Sequence, residues 1–230
     1  MKSPIVTLMA VVGLLLVAPL ANANLITDGS FETPVVPVGG FTNFPMNSTI
    51  PGTSWIVFGP QASIVSGSFF SNGIHFPAPD GSQWLDLTGD LSNRMEGVTQ
   101  TVATSPGVTY DLSYYVGNVV DPTGFYGMTS TISVLVNGTV IQTSMNSGGA
   151  GTATQTWEQF STNFVATGTT TTIGFRNDDP LTDNSNGLDN VVLNAAGGPP
   201  TVPEPSTLLL LGSGLAGLGG IVWRKSRKHE

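Results

Sequence analysis

Apolar and polar residues alternate in short runs from residue 24 to residue 196, and turn-forming residues separate the runs. Alternation with a period of two places successive side chains on opposite faces of a strand. No run shows the period of an amphipathic helix. The pattern predicts an all-β ectodomain, residues 24–196, folded as a jelly-roll β-sandwich. The ten predicted strands are Trp55–Phe58, Ser63–Ser66, Gln83–Leu87, Val98–Ala103, Val108–Val116, Thr131–Val136, Thr139–Thr143, Trp157–Val165, Thr170–Phe175 and Gly187–Leu193.

One connection between these strands is predicted in detail. Asn137 and Gly138 both tolerate positive φ, and strand-like residues flank them. A two-residue Asn-Gly connection is typical of a tight β-hairpin. The strands on either side are therefore predicted to pair.

The N-terminal residues have the composition of an export signal. Lys2 precedes an apolar stretch, Ile5–Leu20, which ends at the small-x-small pattern Ala21-Asn22-Ala23. This order predicts a signal peptide, residues 1–23, that signal peptidase removes. A retained N-terminal anchor is the alternative.

The C-terminal residues form a second apolar segment with a different order. After a linker, residues 197–201, an uncharged run at 207–223 precedes four basic residues within 224–228. The run is at the short limit for one transmembrane helix, and its basic end is expected in the cytoplasm. Its five glycines would weaken a buried soluble helix, which is the alternative.

Residues 202–228 resemble the PEP-CTERM sorting tail, also called the ice-binding protein C-terminal domain. The resemblance lies in the order of the motif at 202–206, the apolar helix and the basic end. It implies that exosortase, a membrane-embedded transpeptidase-like enzyme, removes the tail. The protein would pass through an inner-membrane-anchored intermediate to the outer envelope surface or to an extracellular biofilm matrix. The residues that exosortase would recognise are Val202, Pro203, Glu204 and Pro205.

The ectodomain is strongly acidic. Residues 24–200 contain two basic and thirteen acidic residues, a formal charge of −11, whereas the whole chain carries −8 because its tail is basic. Such a surface repels phosphates, which excludes nucleic acid as a partner, and it suits solubility or cation binding. The chain has no cysteine, which excludes disulfides, thiolate catalysis and cysteine-bound zinc.

Residues 24–194 resemble the galactose-binding-like jelly roll of many carbohydrate-binding modules. Four motifs carry the resemblance, and they stand at 24–32, 79–87, 98–110 and 187–193. It implies that the opening and closing segments are adjacent strands that share a structural calcium ion. The ligands that it implies are Asp28, Glu32 and Asp189, and calcium prefers such oxygen donors. Turn capping and solvation of these carboxylates are the alternatives.

A second acidic segment, residues 178–187, has some features of a calcium loop. It lacks the ligand spacing of an EF-hand and the terminal bidentate glutamate. It is expected to be a solvated loop, and a second ion site is the alternative.

Aromatic residues in loops are candidates for ligand binding, because rings stack on the apolar faces of sugars. The candidates are Phe69, Phe70 and Tyr126, together with Phe125. In contrast, Trp55, Trp84 and Trp157 lie in strand patterns and are predicted to belong to the core.

The sequence favours a non-enzymatic exported protein whose ectodomain binds an exopolysaccharide or other glycan, or has a structural role. No nucleophile-elbow motif is present, and the ectodomain has one histidine, His75. The alternative is a secreted polysaccharide-active hydrolase, whose candidate residues would be Asp80, Asp86 and His75.

Overall fold

A computed structural model describes residues 24–90 and 94–196. The predicted signal peptide, the linker and the sorting tail lie outside these residues. Within them, there is no helix with the length and hydropathy needed to cross a bilayer. The strands are β1 Phe41–Pro45, β2 Ile56–Phe58, β3 Gln61–Ser66, β4 Phe70–Ser71, β5 Ile74–His75, β6 Gln83–Asp86, β7 Gly97–Ala103, β8 Thr109–Asn118, β9 Ser130–Val136, β10 Thr139–Asn146, β11 Thr156–Val165, β12 Thr170–Asn177 and β13 Gly187–Ala195.

The strands form two large sheets. The six-stranded sheet has the order β1-β3-β6-β13-β8-β11, and the five-stranded sheet has the order β10-β9-β12-β7-β2. Every strand pair in both sheets is antiparallel. This confirms the predicted all-β sandwich, and each of the ten predicted strands overlaps an observed one.

One hydrophobic core lies between the two sheets. Ile64, Leu85 and Leu112 reach it from the six-stranded sheet, while Val134 and Phe175 reach it from the five-stranded sheet. Each of these side chains is fully buried. Burying a side chain of this size stabilises the fold by roughly 1.5–3 kcal/mol.

The hairpin between β9 and β10 has the predicted turn. Asn137 and Gly138 have φ values of 50° and 81°, the left-handed region that a tight Asn-Gly turn requires. Val136 and Thr139 pair directly beside it. The prediction from this dipeptide is confirmed.

The opening segment, residues 24–32, is not a strand, so this part of the prediction is wrong. Asp28 and Phe31 have φ values of 53° and 52°, and two such residues within four positions interrupt an extended chain. The segment nevertheless lies against β13, as expected. The Leu25 N–H donates to the Leu193 carbonyl, and the Val191 N–H donates to the Gly29 carbonyl.

Candidate functional site

One cross-strand row forms the floor of the candidate site on the six-stranded sheet. The row consists of Asn43, Ser63, Asp86, Gly187, Gly117 and Trp157, one residue from each strand. Ile64 and Leu85, which follow or precede row members along their strands, belong to the core. Because side chains alternate along a strand, the row faces away from the core.

Two glycines in this row let Trp157 lie directly on the sheet. A Cβ atom at Gly117 or at Gly187 would stand 2.8 Å from the Trp157 ring. The Trp157 indole N–H donates to the Pro77 carbonyl at 2.7 Å. Trp157 therefore lies at one end of the row and links it by this hydrogen bond to the segment after β5.

The β4–β5 hairpin and its flanks cover the floor with aromatic rings. Phe76 packs against Phe69 and Tyr126, with both centroid separations at 5.2 Å, and stacks on Trp84 at 6.1 Å. The Trp84 indole N–H donates to the Phe76 carbonyl at 3.1 Å. These rings form a small second hydrophobic cluster outside the sandwich core.

Two loops complete the opposite wall. The Asp121 carboxylate accepts the Tyr126 N–H at 3.0 Å, which fixes the turn that carries Phe125 and Tyr126. The Asn184 side chain donates to the Phe125 carbonyl at 2.8 Å. This hydrogen bond joins the loop before β9 to the loop before β13.

Floor and walls enclose a cavity of about 200 Å³. Its apolar lining is mainly aromatic, and six polar residues, Ser63, Ser71, Asp86, Asp90, Asn184 and Ser185, also line it. A concave site with aromatic walls and some placed polar groups is characteristic of small-molecule binding. The lining residues are Phe41, Ser63, Val65, Phe69, Ser71, Phe76, Trp84, Asp86, Gly89, Asp90, Phe125, Tyr126, Asn184 and Ser185.

Asp86 is the carboxyl group in the floor of this cavity. Its Oδ1 atom accepts three hydrogen bonds, from the Thr88 N–H, the Thr88 hydroxyl and the Asn186 N–H. Burial raises the pKa of Asp86 to about 7, although these hydrogen bonds oppose the effect. The carboxyl group is therefore held in one orientation and takes up a proton far more readily than a solvated aspartate.

The structure brings together only some of the aromatic candidates. Phe69, Phe125 and Tyr126 line the cavity, whereas Phe70 is exposed and packs on His75, with ring centroids 4.7 Å apart. Trp55 lies in the core as predicted. Trp84 and Trp157, which were also predicted in the core, are not in it: Trp84 belongs to the second cluster and lines the cavity, and Trp157 is partly buried against that cluster.

Sequence reasoning missed the β4–β5 hairpin and with it several wall residues. The hairpin turns at Asn72 and Gly73, whose φ values are 50° and 81°. These are the angles seen at Asn137 and Gly138, so the same dipeptide signal was available.

The hydrolase candidates do not form one group. Asp80 accepts a hydrogen bond from Ser30, Asp86 accepts one from Thr88, and His75 is exposed beside Phe70.

The predicted calcium ligands lie near one another at the edge of the closing strand. Asp189 is fully buried, and burial, together with Asp80 and Glu32 nearby, raises its pKa to about 8. The Glu32 carboxylate accepts the N–H groups of Ser82 and Gln83, each at 2.8 Å. Asp28 accepts the Glu32 N–H at 2.9 Å. In the described part of the chain, no three or more His, Cys, Asp or Glu side chains are grouped so that they could hold a metal ion.

The loop at 178–187 is solvated only at its tip, Pro180 to Thr182, and not along its whole length as expected. Asp179, Asp183, Ser185 and Asn186 are all buried. Asp178 is held differently, by an ion pair with Arg176 at 2.6 Å. The sequence contains polar residues throughout this loop, so hydrophilicity alone does not reveal that it packs inward.

Two family models match the chain. Residues 22–194 match the HpiC1-like model, described as HpiC1 cyclase. Residues 201–228 match the PEP-CTERM protein-sorting motif, which confirms the predicted tail and indicates an exported protein sorted by exosortase. No curated protein matches the chain.

Several solved structures are similar in fold. A cyclase from Fischerella sp. TAU in complex with 4-(1H-indol-3-yl)butan-2-one is 21% identical with a TM-score of 0.53, covering 76% of this chain and 97% of that one. The Stig cyclase Fisc from Fischerella sp. TAU, in complex with (3Z)-3-(1-methyl-2-pyrrolidinylidene)-3H-indole, is 18% identical with a TM-score of 0.52, covering 76% and 98%. A family 35 carbohydrate-binding module from Clostridium thermocellum is 13% identical with a TM-score of 0.41, covering 67% and 99%.

Proposed function

The chain belongs to the HpiC1-like family over residues 22–194, and from that premise we propose that its β-sandwich binds a small, mostly apolar ring compound in the aromatic cavity. The observation that carries the proposal is the cavity itself, about 200 Å³ of space between aromatic walls and a floor with one buried carboxyl group. An apolar cavity of about 150 Å³ in another protein holds benzene, so this one is large enough for a bicyclic ring. Two similar structures contain indole compounds.

The cavity suits a planar aromatic ring better than a sugar. A pyranose carries a hydroxyl group on most of its carbon atoms, and each hydroxyl buried without a partner costs free energy. Of the six polar residues that line the cavity, Ser63, Asp86, Asp90 and Asn184 already make side-chain hydrogen bonds within the protein. The glycan-binding role expected from the sequence is the competing hypothesis.

Binding of indole to the purified protein tests the proposal, with galactose as the competing ligand. Phe125→Ala removes an exposed cavity wall and is expected to weaken indole binding about fivefold, because an aromatic contact contributes roughly 1 kcal/mol. Phe70→Ala is the matched control. Phe125 is 52% exposed and Phe70 is 56% exposed, but of the two only Phe125 lines the cavity. Titration calorimetry measures both. Binding of galactose but not of indole would contradict the proposal.

A second candidate function is catalysis by proton transfer, favoured by the position of Asp86. A carboxyl group oriented in an apolar cavity can donate a proton to a carbon of a bound, electron-rich ring and accept one back. With indole in D₂O, this exchange replaces the hydrogen at ring carbon 3 by deuterium and leaves the compound otherwise unchanged. Such an activity would replace the non-enzymatic role expected from the sequence.

Proton NMR in D₂O measures this exchange. If Asp86 catalyses it, the protein accelerates the loss of the carbon-3 signal and Asp86→Asn abolishes the acceleration. Asp90→Asn is the control, because Asp90 lines the same cavity and its carboxylate is engaged by Gln61 at the surface. An exchange rate equal to that of buffer would support the non-enzymatic role.

The export route and the calcium ion belong to the same proposal. Signal peptidase would remove residues 1–23, and exosortase would act on the tail while it anchors the chain in the inner membrane, before release to the surface or matrix. Asp28, Glu32 and Asp189 would hold a structural calcium ion beside β13. The proposal is supported by the burial of Asp189 near Glu32 and Asp80, and it requires the three carboxylates to move together, because they are not grouped as a metal site in the described residues.

A further inference from the structure

Strands β8 and β11 carry a polar surface on the side of the six-stranded sheet that faces away from the core. Leu112 and Tyr114 of β8 belong to the core, so the residues that alternate with them point outward. Each outward residue pairs with one of β11, and all six are exposed or half-buried. The pairs, which together we call the β8–β11 face, are Tyr115 with Gln159, Ser113 with Ser161 and Asp111 with Asn163.

The side chains of the β8–β11 face have no partner within the part of the chain that the structure describes: none of the six makes a hydrogen bond there. The outer face of the five-stranded sheet is different. Thr101 and Thr172 hydrogen-bond to each other at 2.8 Å, and Ser133 and Thr143 do so at 2.9 Å. Two amides, three hydroxyl groups and a carboxylate on the β8–β11 face are therefore free to bind an external partner.

The chemistry of the β8–β11 face favours a neutral partner that is rich in hydroxyl groups. Asp111 is its one charged residue, and the ectodomain has thirteen acidic and two basic residues, which repel an acidic polymer. Amides both donate to and accept from hydroxyl groups, and a carboxylate accepts from them. The Tyr115 side chain adds an apolar ring with a polar tip. A sugar ring, with hydroxyl groups around an apolar face, matches this combination.

The β8–β11 face is long and narrow. Its three pairs lie two residues apart along β8, so they extend over about 14 Å, whereas the two strands are only about 4.8 Å apart. A strip of this shape suits an extended chain of sugar rings better than a compact ligand.

We propose that the β8–β11 face binds a neutral polysaccharide, with one sugar ring on Tyr115 and hydroxyl groups bonded to Gln159, Asn163 and Asp111. This site is separate from the aromatic cavity, because none of its six residues lines that cavity. A ring compound in the cavity and a polymer on the sheet can therefore be bound together. The sorting tail indicates an exported protein, which would meet such a polymer outside the cell.

Native gel electrophoresis of the full-length protein in mild detergent tests this site. The gels contain a neutral β-glucan, galactan or mannan, and acidic alginate is the comparison. At least one neutral polysaccharide is expected to slow the wild-type protein, and alginate is not. Tyr115→Ala should lower the association constant about fivefold, the effect of losing one aromatic contact. Phe70→Ala is the matched control, because Phe70 is an exposed aromatic residue outside the β8–β11 face, and it should bind as wild type does.

The proposal is overturned if no neutral polysaccharide slows the wild-type protein, or if Tyr115→Ala and Gln159→Ala both migrate as wild type does. Retardation that is lost in Phe125→Ala instead would place the polymer at the aromatic cavity and would also overturn it. Gln159 is exposed on an edge strand. Gln159→Ala therefore decides the question if circular dichroism shows that Tyr115→Ala does not fold.

Discussion

Single residues set the position of Trp157 on the six-stranded sheet. Gly117 and Gly187 are neighbours in the cross-strand row, and both contact the same indole ring. A methyl group at either position has no space between the sheet and the ring. The fixed position of Trp157 follows from two missing side chains as much as from its own hydrogen bond to Pro77.

Gly187→Ala is expected to destabilise the fold by roughly 1–3 kcal/mol, the usual effect of overpacking. Its Cβ atom would stand 2.8 Å from the Trp157 ring and 3.0 Å from the Gly117 Cα atom. Gly168→Ala is the control, since its Cβ atom would meet nothing closer than 3.4 Å. Urea denaturation measures both free energies of unfolding. Equal stabilities would show that Trp157 moves aside freely.

At the scale of elements, the two Asn-Gly hairpins differ in what they support. Gly73 and Gly138 have the same φ, 81°, and a Cβ atom would meet nothing within 4 Å at either position. The β9–β10 hairpin belongs to the five-stranded sheet. The β4–β5 hairpin is attached instead to the segment before β11. The His75 N–H donates to the Ala153 carbonyl, and the Gln155 N–H donates to the His75 carbonyl.

Alanine at these two glycines should therefore have different consequences. Gly138→Ala is expected to lower the free energy of unfolding by about 1 kcal/mol, the cost of positive φ in a non-glycine residue. Gly73→Ala carries the same strain, but we expect it to loosen the cavity wall, with faster hydrogen exchange at the His75 amide and weaker indole binding. Mass-spectrometric hydrogen exchange and thermal melting separate the two effects. A lower melting temperature in Gly73→Ala than in Gly138→Ala would contradict this assignment.

The same elements show what the sequence can predict. Strands such as β8 and β12 are long enough for alternation to be visible, so they were predicted close to their observed bounds. The β4 and β5 strands have two residues each, too few for any period. The opening segment has the composition of a strand, but its backbone turns at Asp28 and Phe31. The sequence predicts Trp84 in the core. Alternation shows which residues share a face of a sheet, but it does not show whether the second sheet or a loop covers that face.

At the scale of the whole molecule, the domain combines high negative charge with no disulfide. Six of its thirteen acidic residues are buried: Asp86, Glu96, Asp121, Asp179, Asp183 and Asp189. A domain of this kind gains stability from any cation that binds only the folded state. Stability of the exported protein is therefore expected to depend on calcium outside the cell.

Calcium is expected to raise the melting temperature relative to EGTA. Saturation at one hundred times the dissociation constant stabilises the folded state by about 2.7 kcal/mol for each site. Glu32→Gln should lose the rise in melting temperature that comes from the site beside Asp189. Glu158 is exposed on β11, so Glu158→Gln should respond to calcium as wild type does. Differential scanning calorimetry gives the shifts. A full calcium response in Glu32→Gln would show that Glu32 is not a ligand.

The cross-strand row has a consequence for how this family diverges. Its members come from six strands and lie at positions 43, 63, 86, 117, 157 and 187, so no contiguous motif encodes the floor. Each position can change during evolution while its neighbours in the chain continue to build the core. Ser63 and Asp86 are the two row members that line the cavity, so changes at these positions can alter the compound that is bound while the core of the sandwich stays the same.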